Sequence, residues 1–245
     1  QKLNSINVIC IIVDVRDKVK VELLIKTHRP DIIYHTAALK HITFVESDHL
    51  EALKTNFVAT VNIAKICIKY KIPKMVFIST DKAVEPSNIM GATKRLCEKY
   101  LQMISDNFVT NFEIVRFGNV LGSTGSVVPL FHKQINEGGP ITITHPEISR
   151  YFMTIREAVE LVLISSITGK NENGVIKILE MGNPVKIKDL AKKMIILSGK
   201  KPEDDIKIQY TKLRAGEKLH EKLFYNDEKI EKTNQSGILQ TKSKL

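Results

Sequence analysis

The first 120 residues alternate between short runs of apolar, β-branched residues and longer stretches with helical periodicity. The apolar runs predict strands at residues 7–14, 31–37, 74–80 and 112–120. The stretches between them predict helices at residues 18–28, 48–71 and 89–106. Strands that are apolar at nearly every position bury both of their faces. This order therefore predicts a doubly wound α/β fold, in which helices cover both sides of a parallel sheet.

After residue 120 the pattern changes, because closely spaced glycines separate shorter elements. We predict helices at residues 154–167 and 187–198, and strands at residues 175–181 and 206–210. These short elements indicate a smaller C-terminal lobe at residues 121–227. Some elements in this range are expected to be shared with the domain formed by the first 120 residues. The Lys- and Ser-rich end, residues 228–245, is predicted to be a flexible tail.

Polar residues follow the predicted strands of the first part at the point where each strand ends. Asp14 ends the first strand, residues 35–41 follow the second, residues 80–82 the third and residues 116–119 the fourth. The carboxyl ends of parallel strands meet at one edge of a sheet, and ligands bind at that edge in open α/β folds. We therefore expect a binding site there.

The sequence lacks one element of a dinucleotide-binding fold. Such folds open with a strand, a glycine-rich turn and a helix whose backbone N–H groups hold the pyrophosphate. None of the 12 glycines lies before Gly91, and the glycines of residues 122–125 follow a strand in the middle of the chain. If the chain binds a dinucleotide, we expect its phosphate loop to lie upstream of Gln1. We interpret the sequence as a fragment of a longer protein.

Composition argues against several other classes of protein. The net charge is +10, but the cations are spread along the chain, so we do not expect nucleic-acid binding. No apolar window is long enough to span a membrane. Neither the three cysteines, Cys10, Cys67 and Cys97, nor the seven histidines have metal-ligand spacing. We expect buried thiols, no metal and a cytoplasmic location.

Six motifs occur in order along the chain. They are Asp14-Val-Arg-Asp17, Ala37-Ala-Leu-Lys-His41, Ser79-Thr-Asp-Lys82 with Met90-Gly-Ala-Thr-Lys94, Arg116-Phe-Gly-Asn119, Arg150-Tyr-Phe-Met-Thr154 and Leu213-Arg-Ala-Gly-Glu-Lys-Leu219. Together they closely resemble CapD-like polysaccharide-biosynthesis proteins, the nucleotide-sugar 4,6-dehydratases of the extended short-chain dehydrogenase/reductase family. The resemblance runs from about residue 8 to about residue 225. It implies a partial NAD-binding, Rossmann-like domain at residues 1–120 and a substrate-binding lobe at residues 121–227.

The resemblance also implies a reaction with no net redox change. Hydride passes from C4 of a UDP-N-acetylhexosamine such as UDP-GlcNAc to NAD, water leaves from C5 and C6, and the hydride returns to C6. The product is a UDP-4-keto-6-deoxy-sugar for surface-glycan synthesis. Family members commonly form homo-oligomers through the helices predicted at residues 48–71 and 89–106. The resemblance leaves open an inner-membrane anchor in the parent protein.

The same resemblance gives roles to single residues. Asp81 is the acid for the C6 hydroxyl and Lys82 the base for the C5 proton. These roles require a carboxyl kept neutral by burial or nearby negative charge, and an amine kept neutral by desolvation. Thr80 contacts the C4 hydroxyl, and Lys94 holds the nicotinamide ribose. Met90 stands where related dehydrogenases carry a proton-accepting Tyr, so the C4 proton leaves through Thr80, Asp81 or water.

Binding roles come from the same resemblance. The residues implied for the cofactor are Asp14, Val15, Ala37, Ala38, Lys40, Thr55, Ser79 and Lys94. The residues implied for the substrate are His41, Asn119, Lys133, Arg150, Arg214 and Glu217. Cations suit a diphosphate, and a carboxylate suits ribose hydroxyls. Each residue taken alone also fits an ordinary role: a solvated charge, a turn after a strand or, for Met90, a core methionine.

Two other functions stay open from the sequence. Related chains on the same scaffold are UDP-sugar 4-epimerases, although the adjacent Asp81 and Lys82 favour dehydration. The chain also fits an inactive remnant that keeps only its nucleotide-sugar contacts. We expect the fragment by itself to bind NAD weakly.

Overall fold

The structure is a computed structural model, and it describes residues 7–123, 125–167 and 173–241. The helices are α1 (Lys18–His28), α2 (Ile42–Ser47), α3 (His49–Ala52), α4 (Ala59–Tyr70), α5 (Ile89–Ser105), α6 (Val127–Asn136), α7 (Ile155–Ile167) and α8 (Ile187–Leu197). The strands are β1 (Ile32–His35), β2 (Lys74–Ile78), β3 (Asn111–Arg116), β4 (Asn119–Val120), β5 (Ile141–Ile143), β6 (Ser149–Arg150), β7 (Phe152–Met153), β8 (Ile176–Leu179), β9 (Val185–Lys186), β10 (Ile208–Tyr210), β11 (Ile230–Lys232) and β12 (Ile238–Thr241). Within these ranges, no helix has both the length and the hydropathy that crossing a membrane requires.

Six strands form the main sheet, in the order β1-β2-β3-β8-β12-β11. The first four are parallel, and β12 and β11 continue the sheet in antiparallel pairing. Alternate residues of a strand lie on opposite faces. Phe77 and Ile114 pack with α1, α4 and α5, whereas Val76 and Val115 pack with α7. The predicted α/β fold, with helices on both faces of a parallel sheet, is confirmed.

The smaller lobe has a core of its own. Helices α6 and α8 pack with the parallel pair β5 and β10, and their shared interior includes Phe131, Ile141, Ile195 and Ile206. The lobe does not take up all of the predicted residues 121–227. Helix α7 and strand β8 fall within that range, but they pack in the main sheet layer.

Residues 7–14 do not form the strand that their apolar pattern predicts. A strand needs a neighbour to satisfy its backbone hydrogen bonds, and among the described residues this stretch pairs with no strand. Its side chains are correspondingly open to solvent, with Ile12 94% exposed. Cys10 is therefore exposed, against our expectation, whereas Cys67 and Cys97 are buried as expected.

Much of the stretch predicted as a flexible tail, residues 228–245, belongs to the sheet. Strands β11 and β12 form an antiparallel pair, and β12 also pairs with β8. Ile238 is 2% exposed, because it packs on the face of the sheet that α7 covers. The flexible tail was therefore wrong for residues 230–241, where two short apolar runs outweigh the polar composition. Residues 242–245 lie outside the described residues.

The helix predicted at residues 48–71 is interrupted. It begins as α3, continues as a π-helical segment, Leu53–Val58, and becomes regular again as α4. A π turn holds more residues than an α turn, and such segments are frequent at functional sites. Here the segment contains Asn56, which is fully buried.

Candidate active site

A cavity of about 510 Å³ lies at the carboxyl ends of the parallel strands. Thr36 lines it after β1, Thr80 after β2 and Gly118 after β3, so three strand ends meet there. The smaller lobe closes the cavity with apolar side chains that include Ile143 and Ile187. This volume is within the range of small-molecule binding sites.

Most of the residues singled out in the sequence line this cavity. They are Ala38, Lys40, His41, Ser79, Thr80, Lys82, Met90, Lys94, Asn119, Arg150, Arg214 and Glu217. They come from motifs that are far apart along the chain, and the fold brings them to one place. Asp81 is fully buried next to Thr80 and Lys82.

Thr80, Asp81 and Lys82 form one hydrogen-bonded group after β2. The Thr80 hydroxyl and the Lys82 ammonium each donate to Asp81 Oδ1 over 2.9 Å. The backbone forms a 3-10 turn here, Asp81–Ala83, which Thr80 caps by accepting from the Lys82 N–H at 3.4 Å. Asp81 is 0% exposed, while 14% of the Lys82 side chain is exposed. The carboxyl therefore contacts the cavity through its two neighbours.

The second oxygen of Asp81 has no hydrogen-bond partner among the described residues. This atom, Oδ2, faces Gly118, where a β-carbon would come within 3.0 Å of it. Gly118 thus leaves room for the carboxyl. A buried polar atom without a partner is energetically unfavourable.

Asn119 reaches the same group from β4. Its Oδ1 accepts from the Lys82 ammonium at 3.1 Å, so that ammonium is held between Asn119 and Asp81. An ammonium has three donors. Among the described residues, no partner accepts the third hydrogen.

Lys94 is almost completely buried at the cavity wall, with 6% exposure. Its ammonium donates to the Ile78 carbonyl at 2.7 Å and lies 4.5 Å from the centre of the Phe77 ring. Burial lowers the pKa of Lys94 to about 8, against the opposing charges of Cys97 and Glu98. The amine is therefore fixed at the end of β2, next to the Thr80–Lys82 group.

Met90 lies one turn before Lys94 on α5 and also borders the cavity. It is 4% exposed and packs with Val45 and Ala52. Both meanings considered for this methionine, core packing and cavity wall, describe its position. A thioether accepts no proton, so Met90 cannot act as a general base.

The glycine after Met90 sets the distance between α5 and Lys82. A β-carbon on Gly91 would lie far inside van der Waals contact with the Lys82 carbonyl oxygen, a backbone atom that no side-chain rotation can move. Alanine is the better helix former by about 1 kcal/mol, but this overlap outweighs that gain. We expect Gly91→Ala to lower the thermal unfolding midpoint and to lower turnover of the complete protein by about 10²-fold, because small displacements of reacting groups are that harmful.

Gly199→Ala is the matched control for this variant. Gly199 has a φ of +76° and open space around it, so alanine there strains the backbone without reaching the cavity. It is expected to lower the unfolding midpoint and leave steady-state turnover unchanged. If Gly91→Ala also kept wild-type turnover, α5 would not position Lys82.

Three charged residues of the substrate motifs converge on the lobe side of the cavity. Arg150, 8% exposed, donates to Glu217 Oε1 at 3.5 Å and to the Leu219 carbonyl at 3.2 Å. Glu217 Oε2 accepts from the backbone N–H of the exposed Arg214 at 3.1 Å. Two guanidinium groups beside one cavity form a suitable site for phosphate oxygens.

Three of the residues implied for the cofactor lie away from this cavity. Asp14 is exposed, and hydrogen bonds from Arg16 lower the pKa of Asp14 to about 2. Val15 and Ala37 line a second, apolar cavity of about 340 Å³. Thr36 borders both cavities, which makes them neighbours.

Two further predicted residues are outside both cavities. Thr55 is half-buried in the π-helical segment. Lys133 is exposed on α6, 3.8 Å from Glu137, and does not reach the substrate side of the cavity. Helix α6 buries Phe131 and Ile135 in the lobe, so Lys133, which lies between them in the sequence, faces solvent.

Sequence reasoning missed Asn56, which holds the loop after β1 in place. Its Oδ1 accepts from the Leu39 N–H at 2.7 Å, and its Nδ2 donates to the Leu39 carbonyl at 3.0 Å and to Thr93 Oγ1 at 3.1 Å. The loop that carries Ala38 and Lys40 is thereby tied to α5. A polar residue within a largely apolar helical stretch was the available signal.

Comparison with known proteins places these features in a family. The family described as "Polysaccharide biosynthesis protein" matches residues 1–243. The capsular polysaccharide biosynthesis protein CapD of Staphylococcus aureus is 49% identical over 226 residues, which are 92% of this chain and 37% of that protein. The chain thus spans little more than a third of the length of this relative.

Two relatives with lower sequence identity are named for two different enzyme activities. A UDP-glucose 4-epimerase of Rickettsia canadensis is 37% identical over 206 residues, 82% of this chain and 58% of that protein. A UDP-N-acetylglucosamine 4,6-dehydratase (inverting) of Campylobacter jejuni is 34% identical over 219 residues, 88% of this chain and 62% of that protein.

Solved structures share the fold. Pen from Bacillus thuringiensis superimposes with a TM-score of 0.85 at 34% identity, over 94% of this chain and 71% of that one. The UDP-glucose 4-epimerase of Thermus thermophilus, solved with NAD, gives a TM-score of 0.75 at 21% identity, over 86% of this chain and 75% of that one. The second likeness shows the fold alone. From its motifs, its fold and the family match along nearly its whole length, the chain belongs to the polysaccharide biosynthesis protein family, in its CapD-like branch.

Proposed function

We propose that the protein to which this chain belongs dehydrates a UDP-N-acetylhexosamine, UDP-GlcNAc in the first place, to a UDP-4-keto-6-deoxy-sugar, with NAD as its cofactor. The observation that carries the proposal is the Asp81–Lys82 pair, a carboxyl and an amine that share a 2.9 Å hydrogen bond beside the cavity. Eliminating water across two neighbouring carbons needs an acid and a base close together. The product class suits a family named for polysaccharide synthesis.

The Asp81–Lys82 hydrogen bond suits this chemistry because it allows one proton to change place. An ion pair of carboxylate and ammonium becomes a neutral acid and a neutral amine when that proton moves from nitrogen to oxygen. The neutral amine removes the C5 proton, which a ketone at C4 makes acidic. The neutral acid then protonates the C6 hydroxyl, which leaves as water.

Thr80 and Asn119 support the pair from either side. The Thr80 hydroxyl lies at the cavity beside Asp81, and we propose that the C4 proton leaves through Thr80 to water, because the carboxyl has already taken its proton from Lys82. This path replaces the phenolic base that Met90 cannot supply. Asn119 orients the Lys82 amine by accepting one of its hydrogens.

The described residues fit the nicotinamide half of NAD. The Lys94 amine is the donor proposed for the nicotinamide ribose, and Ala38 is a small residue at the cavity wall where backbone can approach a ligand. When bound, NAD supplies the hydride exchange at C4 and C6. Among the described residues no glycine-rich turn follows a first strand, so we assign no contact to the pyrophosphate.

Arg150, Arg214 and Glu217 are the proposed contacts of the UDP moiety. The two guanidinium groups are placed for the diphosphate, and Glu217 for the uridine ribose hydroxyls. Lys40 and His41 line the cavity near the loop after β1, where they are proposed to contact the cofactor and the sugar.

A UDP-sugar 4-epimerase is the second candidate, because the Rickettsia relative carries that name. Epimerisation returns hydride to the opposite face of C4 and leaves C5 and C6 untouched. Epimerisation would therefore not require Asp81 and Lys82 as an acid–base pair. We therefore favour dehydration.

The deciding experiment incubates the complete protein with NAD and UDP-GlcNAc that carries deuterium at C4. Dehydration predicts a product that has lost one water and carries the deuterium at C6, read by mass spectrometry and NMR. Deuterium at C4 of UDP-GalNAc, with no loss of mass, would replace the dehydratase by an epimerase. If protein with bound NAD formed neither product, the inactive remnant would be favoured.

We also propose a homo-oligomer paired through the π-helical segment and α5. Both elements expose apolar side chains, among them Val58 at 43% and Met103 at 55%. Exposed apolar patches are typical of protein interfaces. Light scattering that gives the mass of a single chain at micromolar concentration would refute this.

A further inference from the structure

Arg214 and Glu217, two of the proposed UDP contacts, are the first and last residues of one tight turn. The Glu217 N–H donates to the Arg214 carbonyl at 3.0 Å, and Glu217 Oε2 accepts from the Arg214 N–H at 3.1 Å. Within the turn, Gly216 has a φ of +74°, a left-handed conformation that favours glycine. On the side of the smaller lobe, Glu217 Oε1 accepts from Thr144 at 3.2 Å and from Arg150 at 3.5 Å. We name these four residues the 214–217 turn.

The other side of the 214–217 turn is bonded to the start of α5. The Gly216 carbonyl accepts from Ser87 Oγ at 2.8 Å and from Asn88 Nδ2 at 2.9 Å. The approach is close, because a β-carbon on Gly216 would lie 2.7 Å from the Asn88 β-carbon and 3.0 Å from the Ser87 carbonyl oxygen. The turn is therefore held between the smaller lobe and the helix that carries Lys94.

Asn88 makes two different hydrogen bonds with the two ends of its amide. Its Oδ1 accepts from the Gly91 N–H at 2.8 Å and caps α5, while its Nδ2 donates to the Gly216 carbonyl. An amide is the side chain that offers an acceptor and a donor side by side. Asn88 is 8% exposed and does not line the cavity. One buried side chain thus connects the start of α5 with the turn that presents Arg214 and Glu217.

We propose that Asn88 is a positioning residue for substrate binding. By holding the Gly216 carbonyl, it fixes the 214–217 turn against α5, so that Arg214 and Glu217 are in place before UDP binds. The inference rests on the proposed function, in which these two residues contact the UDP moiety. Contacts that are already ordered cost less free energy on binding. The side-chain hydrogen bonds of Asn88 go to Gly91 and Gly216, so it acts on affinity rather than on the chemical step.

The test replaces Asn88 with aspartate in the complete protein and measures UDP binding by calorimetry. A carboxylate still accepts from the Gly91 N–H, and negative charge is favourable at the start of a helix, so α5 stays capped. The donor to Gly216 is lost, and a carboxylate oxygen then faces the carbonyl oxygen. We expect the Kd of UDP and the KM for UDP-GlcNAc to rise about tenfold. The kcat should change by less than about twofold, because uniform binding is what is lost.

A role of Asn88 as a helix cap alone would be kept by aspartate. Wild-type affinity for UDP in Asn88→Asp would therefore overturn the inference.

Asn88→Ser separates the lost donor from the added charge. Serine caps helices about as well as asparagine, but its hydroxyl is uncharged and too short to cap α5 and reach Gly216 together. We expect weaker UDP binding in this variant as well. Wild-type affinity in Asn88→Ser would assign the effect of aspartate to its charge and would also overturn the inference. Asn234→Asp is the matched control for the charge, because Asn234 is exposed and lines neither cavity, and its UDP affinity should equal that of the wild type.

The anchored turn can also be followed without any ligand. Hydrogen–deuterium exchange of the Glu217 N–H, which is bonded to the Arg214 carbonyl, should be about tenfold faster in Asn88→Asp than in the wild type. An unchanged exchange rate would overturn the inference whatever the protein does to UDP-GlcNAc. Faster exchange in a protein that does not bind UDP would support the anchor and remove the proposed function.

Discussion

Replacing Lys82 with methionine is expected to lower the turnover of UDP-GlcNAc by the complete protein about 10³-fold, within the range that general acid–base groups contribute. Methionine keeps most of the side-chain length and removes the amine that takes the C5 proton. The Lys82 ammonium donates to Asp81 and Asn119 and to none of the proposed UDP contacts, Arg150, Arg214 and Glu217, so these stay intact. The dissociation constant of UDP-GlcNAc, measured by calorimetry, should therefore change little.

Asp81→Asn should lose turnover to a similar degree for a different reason. The amide oxygen still accepts from Thr80 and Lys82, so the turn keeps its shape, but the side chain has no acidic proton to give. Because the two residues act on one elimination step, the double variant should be little slower than either single variant.

Lys69→Met is the control for the loss of a lysine. Lys69 is 63% exposed and paired with Glu22, away from the cavity-lining residues, so its replacement should leave turnover unchanged. Wild-type turnover in Lys82→Met would return Asp81 and Lys82 to the role of an ordinary turn after a strand.

The parts of the fold that could be predicted are those that local sequence specifies. Helix α1 was predicted at residues 18–28 and found there, because both ends carry local signals. The Asp17 side chain accepts from the Lys20 N–H at the start, and Arg29 adopts a left-handed conformation at the end. Residues 7–14 have an equally strong apolar pattern, but a strand depends on a neighbour that no local signal provides.

In the candidate site, only the residues that lie in recognised motifs could be predicted. Thr80, Lys82 and Lys94 were assigned to the site by the family resemblance of their motifs, and all three line the cavity. Lys133 was expected to contact the substrate by the same resemblance, but the packing of α6 turns it towards solvent. The hydrogen bond from Lys218 Nζ to the Val84 carbonyl could not be found from the sequence, because it joins residues more than a hundred positions apart.

A second large effect is expected from replacing Arg116, which connects Glu98 in α5 with Glu228 in the segment before β11. Its guanidinium is fully buried and donates to Glu98 Oε2 at 2.9 Å and to Glu228 Oε2 at 3.0 Å. Glu98 in turn accepts from the Ser79 hydroxyl at the cavity at 2.6 Å. Arg116→Met would leave two carboxylates buried with too little compensation. We expect the free energy of unfolding to fall by about 3–5 kcal/mol at neutral pH, measured by urea titration.

Two comparisons separate charge from packing at this site. Adding Glu98→Gln and Glu228→Gln to Arg116→Met removes the unpaired charges, so the triple variant should recover part of the lost stability. Arg156→Met breaks an exposed pair on α7, where the side chain is 87% exposed, and no measurable change is expected. A triple variant no more stable than Arg116→Met would show that the loss comes from packing.

The effect of Arg116→Met should also depend on pH in a defined direction. Burial alone would raise the pKa of Glu98, but the charge and hydrogen bonds of Arg116, with those of Ser79 and Arg95, lower it overall. A carboxyl whose pKa is lowered by folding adds stability above its unfolded value of about 4.3, and this stability is lost as the pH falls through the folded value. The wild type therefore loses the contribution in acid, whereas Arg116→Met lacks it already at neutral pH. The difference between the two proteins should narrow below about pH 4, and a constant difference would mean that Arg116 stabilises the fold without its charge.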